Sequence, residues 1–273
     1  MPAIVYSSLD PAGKNIASLL KSAHGFAPAE KIGGLHAWRN GSGIMLAEIG
    51  TPTITADYLD EAIRTDLIVF ASRHKSESGK PTLTAHACGN WGVAAEFGGR
   101  PRTLAPTSAH AIKAAMESLA RSGASDHALA GFDVVMECTH HGPLLKTPFL
   151  FVEIGSTERE WRLPGPGAAA AEACLAACAP AREGARVAIG VGGIHYPREF
   201  TKEVLRKGPG LAVGHVCPKY AVEFLDEGMM AQMLAKSGGA VMLALVGWKS
   251  LKPGGREKAL SLLNAFNVPY QKV

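Results

Sequence analysis

The sequence contains no uninterrupted apolar run of the ~18 residues that a membrane-spanning helix requires. It has only 5 cysteines among 273 residues, an odd number without disulfide-like or zinc-ribbon spacing. No basic and apolar leader opens the chain, so we expect a cytoplasmic protein. Charged residues make up 19% and hydrophobic residues 47%, a globular balance that excludes a mostly disordered chain.

Several motifs of known catalytic chemistry are also missing. No GxSxG segment is present, so a serine nucleophile of the α/β-hydrolase type has no support. The absence of HExxH excludes a zincin. DPAGKN lacks the upstream glycine and the Ser/Thr of a phosphate-binding Walker A loop, and GVGGIHY does not follow the dinucleotide pattern.

Apolar runs alternate with helix-like stretches along the chain. The strand-like runs are AIVYSS, IMLAEIG, DLIVFAS, TLTAHAC, DVVMECT, FLFVEIG, RVAIGVGG and AVMLALVG, nearly all apolar, as in strands buried on both faces. The helix-like stretches are PAGKNIASLLKSA, TSAHAIKAAMESLARSG, GPGAAAAEACLAACAPA and GREKALSLLNAFN. This alternation predicts a three-layer α/β fold with a mostly parallel or mixed sheet, as a single domain over residues 1–273.

Polar residues lie in or directly after the ends of several predicted strands. Since open α/β sheets bind ligands beyond the carboxyl ends of their strands, we expect these residues to converge on one pocket. Adjacent strand residues point to opposite faces, so His140 and His141 share a task only if the chain turns. Gly142-Pro143 predicts that turn and favours His141 as the residue aimed into the pocket.

Each polar residue also has a structural interpretation. His86 can be a core histidine bonded to backbone, and the histidine pair can be a hydrogen-bonded clasp. Glu137 and Glu153 lie in apolar strands, where a buried carboxylate is costly without a partner or a metal. Histidines suit either zinc, which lowers the pKa of bound water towards ~7, or general-base catalysis without metal. Both routes lead to hydrolysis, with an oxyanion held by backbone N–H groups of Gly142, Gly192 and Gly193.

Two further features carry less information. Cys174 and Cys178 are four residues apart on an Ala-rich helix, which allows a zinc pair but favours two buried, inert thiols. The formal net charge of +4 mildly favours a polyanionic partner.

Four segments in this order resemble one family. SRHKSESGKPTLTAHACGNWG, ECTHHGP, VEIGSTEREW and GVGGIHYPREFT, with SSLDPAGKNI near the N-terminus, resemble the D-aminoacyl-tRNA deacylases of the archaeal and plant type, the second deacylase family. The resemblance runs from Ser72 to Thr201 and is specific because the motifs occur together. It implies a fold like that of nucleoside phosphorylases and peptidyl-tRNA hydrolases.

The resemblance implies an enzyme that hydrolyses the ester between a D-amino acid and the 3′-terminal adenosine of tRNA, with zinc as cofactor. The expected partner is tRNA charged with D-amino acids, with neither DNA nor membrane, and a monomer is the expected state. The expected catalytic residues are His140, His141, His195 and Glu137. The expected metal ligands are His74, His86 and Glu153. The expected substrate-binding residues are Asn90, Ser156, Thr157, Lys75 and Arg73, with Lys75, Lys80, Arg100 and Arg102 facing phosphates.

Two other functions remain open at this point. A metal-dependent hydrolase or phosphorylase-like enzyme acting on a small molecule or nucleoside would use the same pocket without a basic surface. A non-catalytic RNA-binding module would shelter a 3′ end, but binding alone seldom requires several clustered ionisable groups.

Overall fold

The structure is a computed structural model that describes residues 1–179, 184–206, 208 and 210–273. Its strands, in chain order, are β1 (Ala3–Ser7), β2 (Ala27–Ile32), β3 (Leu35–Arg39), β4 (Met45–Ile49), β5 (Ile68–Lys75), β6 (Thr82–His86), β7 (Gly89–Asn90), β8 (Thr103–Leu104), β9 (Asp133–Met136), β10 (Phe149–Ser156), β11 (Arg186–Val191), β12 (Leu211–Cys217), β13 (Leu243–Val246) and β14 (Tyr270–Lys272). Its α-helices are α1 (Pro11–Ala23), α2 (Leu59–Ala62), α3 (Ala109–Ser125), α4 (Glu158–Arg162), α5 (Pro164–Cys178), α6 (Arg198–Val204), α7 (Glu227–Lys236) and α8 (Pro253–Ala265).

The larger sheet has 8 strands in the order β2-β3-β4-β1-β5-β10-β6-β9. Its centre, β4, β1, β5 and β10, is parallel. At one side β6 runs antiparallel to β10, and β9 is parallel to β6. At the other side β3 and β2 add antiparallel strands. The predicted mixed α/β sheet is therefore confirmed, with its direction reversed between β10 and β6.

A second sheet of 4 parallel strands has the order β12-β11-β13-β14. The chain just after β9 joins the two sheets. There the Cys138 N–H donates to the carbonyl of His195, and the Thr139 N–H donates to that of Val216, both at 3.0 Å. This junction brings the loop that follows β11 to the end of β9.

Helices α1, α3 and α5 pack on one face of the larger sheet, and α3 also contacts β12 of the smaller one. The apolar core under these helices is continuous, with residues of both sheets such as Val152 and Val213. A second core on the opposite face contains Phe70, Phe149 and Phe151 beneath α2. Both faces of the central strands are thus buried, which explains their uninterrupted apolar sequences.

The predicted helices agree closely with the observed ones. Asp10 caps α1 by accepting from two backbone N–H groups of its first turn, and Pro11 stands at the first helical position. The last predicted residues of the Ala-rich helix, 180 and 181, lie outside the described residues. Strands β2, β3, β7, β8, β12 and β14 and helices α2, α4, α6 and α7 were not predicted. Among the described residues, no helix is both long and apolar enough to cross a bilayer.

Candidate active site

A cavity of about 1230 Å³ opens over the larger sheet beside the junction with the smaller one. Most of the residues predicted for the site line it, namely Arg73, His74, Lys75, Asn90, His140, His141, Glu153 and His195. The two other predicted residues of the ionisable cluster, His86 and Glu137, lie buried beneath and contact this group through Glu153 and His195. The structure therefore brings the predicted ionisable residues together.

Strand β10 provides the floor of the site. Its residues Phe151, Glu153 and Gly155 point to one face because side chains alternate along a strand. His86 of β6 is the partner of Phe151, and His74 of β5 is the partner of Gly155. Glu153 stands midway, and its Oε2 lies 3.4 Å from Nε2 of His86 and 3.5 Å from Nδ1 of His74.

This arrangement corrects the predicted geometry. Five strands were expected to deliver polar residues at one carboxyl edge, but β6 and β9 run opposite to β5 and β10. The site lies over the body of β10, between the carboxyl ends of β5 and β6. His195 comes from the smaller sheet. The apolar sequences of these strands carry no signal for their relative direction.

The turn after β9 lets both adjacent histidines reach the cavity. His141 has a φ of 43°, in the left-handed region that a non-glycine residue seldom adopts, and the chain reverses at Gly142. Both His140 and His141 line the cavity as a result. The expectation that only one of the pair is aimed into the pocket was wrong.

Glu137 is the central acceptor of the site. It is 1% exposed, and its Oε2 accepts from Nε2 of His195 at 2.8 Å. Nδ1 of His74 lies 3.2 Å and Nε2 of His140 lies 3.5 Å from the same oxygen. The second oxygen, Oε1, is buried without a hydrogen-bond partner among the described residues. A buried, unpaired carboxylate oxygen is costly, and it indicates a ligand that is absent from this arrangement of side chains.

The tautomers of two histidines leave one nitrogen of each ring available to a ligand. Nδ1 of His86 donates to the carbonyl of Ala87 at 3.0 Å, and Nδ1 of His140 donates to that of Cys138 at 2.9 Å. In the neutral rings each Nε2 therefore carries the lone pair, and Nε2 of His86 has no hydrogen-bond partner within the described part of the chain.

One ligand atom each from His86, Glu137 and His140 lie within 4.8 Å of one another. Two imidazole nitrogens and a carboxylate oxygen are a donor set that suits zinc with a fourth position open. Backbone carbonyls on the opposite ring nitrogens orient such ligands. None of the close groups of possible metal ligands among the described residues combines His74, His86 and Glu153, the expected set. His86 instead joins Glu137 and His140, and His74 joins Glu137 and His195 in another close group.

The pKa values of the histidines diverge. Burial and the neighbouring His86 lower the pKa of His141 to about 4. Burial, His141 and His86 also lower the pKa of His140 well below its usual value. Burial opposes protonation of His195 too, but hydrogen bonds to Cys138 and Glu137 raise its pKa to about 10. Near neutral pH the cluster thus holds neutral and protonated imidazoles side by side, as acid–base pairs require.

The two buried carboxylates stay ionised. Burial alone would raise the pKa of Glu137, but the hydrogen bond from His195 and the charge of His74 hold it below its usual range. Burial alone would raise the pKa of Glu153, but the neighbouring imidazoles of His74 and His86 hold it below its usual range. The negative charges therefore balance the protonated imidazoles in a site that excludes most solvent.

Two predicted substrate-binding residues have structural positions instead. The Ser156 hydroxyl donates to the carbonyl of Lys80, and Thr157 forms a capping box with Glu160 at the start of α4. Neither residue lines the cavity. Asn90 does line it, but its amide nitrogen donates to the carbonyl of Gly98 at 2.8 Å. A motif shows that a residue type is present without showing which partner its side chain has.

The predicted oxyanion donors are also engaged elsewhere. The N–H of Gly142 donates to the carbonyl of Phe97 at 3.0 Å, and that of Gly192 donates to Cys217 at 2.8 Å. The N–H of Gly193 donates to Oγ of Ser250 at 2.7 Å. None of the three is free to hold an oxyanion, so this expectation was wrong.

Sequence reasoning missed Tyr196 and Asp10. The Tyr196 hydroxyl lies 2.6 Å from Nε2 of His74, whose Nδ1 faces the carboxylates. Asp10 accepts from the backbone N–H of Arg73 at 2.9 Å besides capping α1, so it fixes the end of β5. Both residues lie inside the quoted motifs, Tyr196 directly after His195 and Asp10 directly before Pro11. Those positions were the available signal.

Fold and site together define an α/β enzyme with a buried histidine–carboxylate centre. Residues 61–271 match the model of one family, described as D-aminoacyl-tRNA deacylase, and the chain belongs to that family.

Several archaeal proteins named D-aminoacyl-tRNA deacylase are similar to the chain. The protein of Cenarchaeum symbiosum is 39% identical over 88% of this chain and 88% of its own length. The protein of Pyrococcus horikoshii is 33% identical over 100% of both chains. That of Methanoregula boonei is 38% identical over 98% of this chain, which spans only 57% of that relative's length.

A crystal structure of a conserved protein of unknown function has the same fold. It superposes with a TM-score of 0.89 at 31% identity and covers 100% of this chain and 95% of its own. The likeness therefore extends over both sheets.

Proposed function

We propose that the protein hydrolyses the ester bond of D-aminoacyl-tRNA and releases the free D-amino acid and tRNA. The match of residues 61–271 to the deacylase family carries this proposal, because that range includes every ionisable residue of the cluster from His74 to His195. Since the substrate arises during translation, the enzyme would act in the cytoplasm.

In this proposal zinc would be held by Nε2 of His86, Nε2 of His140 and the carboxylate of Glu137. The free lone pairs and the unpartnered Oε1 support this assignment. When bound, zinc would lower the pKa of a water molecule towards ~7 and polarise the ester carbonyl.

The protein's own side chains handle the protons. His195, protonated near neutral pH, donates a proton to the 3′ oxygen of the ribose as the ester bond breaks. His141 is neutral, and because its Nδ1 donates to the carbonyl of Gly142 at 2.6 Å, its Nε2 is left to accept a hydrogen bond from the attacking water. Water supplies the oxygen of the released carboxylate, and the tRNA recovers its hydroxyl group.

His74 orients this machinery. Its Nδ1 donates towards Glu137 and Glu153, and its Nε2 lies 2.6 Å from the hydroxyl of Tyr196. Held from both sides, the ring keeps the two carboxylates apart and limits the positions that Glu137 can take.

Basic residues near the cavity suit the phosphates of tRNA. Lys75 lines the cavity and is exposed. Arg100 is also exposed. Lys80 instead lies 3.6 Å from Asp133, and Arg102 forms an ion pair with Asp226. Lys75 and Arg100 are therefore better placed for phosphate contacts than the other two.

The small-molecule hydrolase or phosphorylase is not favoured, because the family and its named relatives act as deacylases of aminoacyl-tRNA. Clustered ionisable groups with diverging pKa values also favour an enzyme over a binding module.

The test compares hydrolysis of D-tyrosyl-tRNA and L-tyrosyl-tRNA by the wild-type protein and by His141→Gln. Loss of only the D-ester, slowed at least ~100-fold in the variant, supports the proposal. Survival of both esters with the wild-type protein overturns it. Removal and return of zinc in the same assay tests the cofactor, since activity that a chelator leaves unchanged contradicts zinc chemistry.

A further inference from the structure

Exposed hydrophobic side chains are concentrated at the mouth of the cavity. Val93 is 78% exposed and Phe97 67%, and both line the cavity together with exposed Leu9 and Tyr220. We call these four residues the rim. Single exposed apolar residues are ordinary, whereas a cluster beside a cavity marks a binding surface.

The segment that carries Phe97 is held firmly in place. The carbonyl of Phe97 accepts from the N–H of Gly142, and that of Gly98 accepts from Nδ2 of Asn90. A Cβ on Gly98 would lie 1.8 Å from the carbonyl oxygen of Ile54, so the backbones are in close contact. Phe97 is therefore presented to solvent by a fixed backbone, as a preorganised contact surface requires.

The cavity is larger than an amino acid needs. Its volume of about 1230 Å³ exceeds the ~300–1,000 Å³ usual for small-molecule sites. The ionisable cluster occupies its floor, while the rim surrounds its mouth. A substrate bound at the floor must therefore continue past the rim.

The charges beside the rim favour an anionic chain. Arg73 and Lys75 line the same cavity, and Arg100 is exposed three residues after Phe97. Among the acidic residues that line the cavity, Glu77 is the exposed one. Aromatic side chains with basic neighbours are how proteins hold single-stranded nucleic acid, because every base offers a face for stacking.

We infer that the rim is a stacking surface for the unpaired 3′-terminal nucleotides of tRNA. The inference rests on the proposed function and adds the part of the substrate that the rim recognises. Bases of the single-stranded end stack on Phe97 and Tyr220, and Arg73 and Lys75 contact the intervening phosphates. This contact guides the terminal ester down to the histidines.

The kinetic test uses Phe97→Ala, with Phe97→Trp as the conservative variant. Loss of one stacked base is expected to raise KM for D-tyrosyl-tRNA by roughly 5- to 150-fold while kcat changes little, because the contact binds substrate and transition state alike. Phe97→Trp should keep the wild-type KM. Tyr270→Ala removes an aromatic side chain of β14 that is 39% exposed and does not line the cavity, so it should have no effect.

A binding test separates this inference from the proposed function. Uncharged tRNA with its complete 3′ end should bind wild type more tightly than tRNA trimmed of its last three nucleotides, and Phe97→Ala should remove that difference. If the wild-type protein hydrolyses no D-ester, the proposed function fails while this comparison still decides the rim. Equal binding of both tRNAs to wild type would overturn the inference. A Phe97→Ala variant that differs from wild type only in sedimentation, and not in tRNA binding, would overturn it as well.

Discussion

Replacing Glu137 by glutamine tests the centre of the site. The substitution keeps the side-chain volume but removes the charge and turns one oxygen into an N–H donor. In the wild type, imidazole nitrogens of His195, His74 and His140 lie 2.8, 3.2 and 3.5 Å from Oε2. A neutral amide stabilises a protonated His195 less than the carboxylate does, and it is a weaker ligand for the proposed zinc.

Two losses are expected, each with its own size. A missing general acid slows hydrolysis by about 10²–10⁴-fold. Disturbing the surroundings of a zinc ligand already weakens zinc binding by about 10–100-fold, so removal of a ligand should weaken it at least ~100-fold. The pKa of His195 should fall from about 10, while its hydrogen bond to Cys138 keeps part of the increase.

Single-turnover hydrolysis of D-tyrosyl-tRNA measures the first loss, and competition with a chromogenic chelator measures the second. NMR titration of the histidines gives the pKa of His195. Glu153→Gln is the matched control, because Glu153 is equally buried and contacts His74 and His86 but belongs to no close ligand group among the described residues. Zinc affinity equal in Glu137→Gln and wild type would refute the assigned ligand set.

Three further substitutions have expected outcomes. Tyr196→Phe removes the hydroxyl that lies 2.6 Å from Nε2 of His74 and should lower kcat about 10-fold without changing zinc affinity; an unchanged kcat would contradict the orienting role. Burial lowers the pKa of His215 to about 4 from an unfolded value near 6.5. The neutral ring therefore contributes about 3 kcal/mol to the free energy of unfolding above pH 6.5, and this contribution should be lost as the pH falls from 6.5 to 4. Urea denaturation at both pH values checks this, and His215→Gln should lack that part of the pH dependence. Gly98→Ala combines a φ of 80° with a methyl 1.8 Å from a carbonyl oxygen of Ile54, and should reduce the free energy of unfolding in urea by about 1–3 kcal/mol.

The elements with strong local signals could be predicted from the sequence. Helix α1 was predicted with its observed bounds, and its local signals are Pro11 at the first position and the helical spacing of its buried residues. The strands buried on both faces were recognised by their apolar sequences. By contrast, β2 is almost fully exposed and β14 has only 3 residues, so neither has the hydrophobic pattern on which prediction depends.

The ionisable residues that the structure brings together could be picked out from the sequence, but their geometry could not. Buried carboxylates such as Glu137 and Glu153 stand out in apolar runs, because their desolvation demands a partner. Nothing local distinguishes His86, which lies close to Glu137 and His140, from His74, which lies close to Glu137 and His195. That difference follows from the reversed direction of β6, which is a property of pairing across the sheet.

The site is assembled from both sheets, which explains how one cluster holds imidazoles in opposite protonation states. His140 and His141 lie on the turn after β9, where burial and neighbouring imidazoles keep them neutral. His195 comes from the smaller sheet, where it reaches Oε2 of Glu137 at 2.8 Å and stays protonated. The hydrogen bond from the Cys138 N–H to the carbonyl of His195 holds the backbones next to Glu137 and His195 together. A neutral acceptor and a protonated donor therefore face one ester only while the junction of the sheets is intact, so changes at that junction should impair catalysis before they unfold the protein.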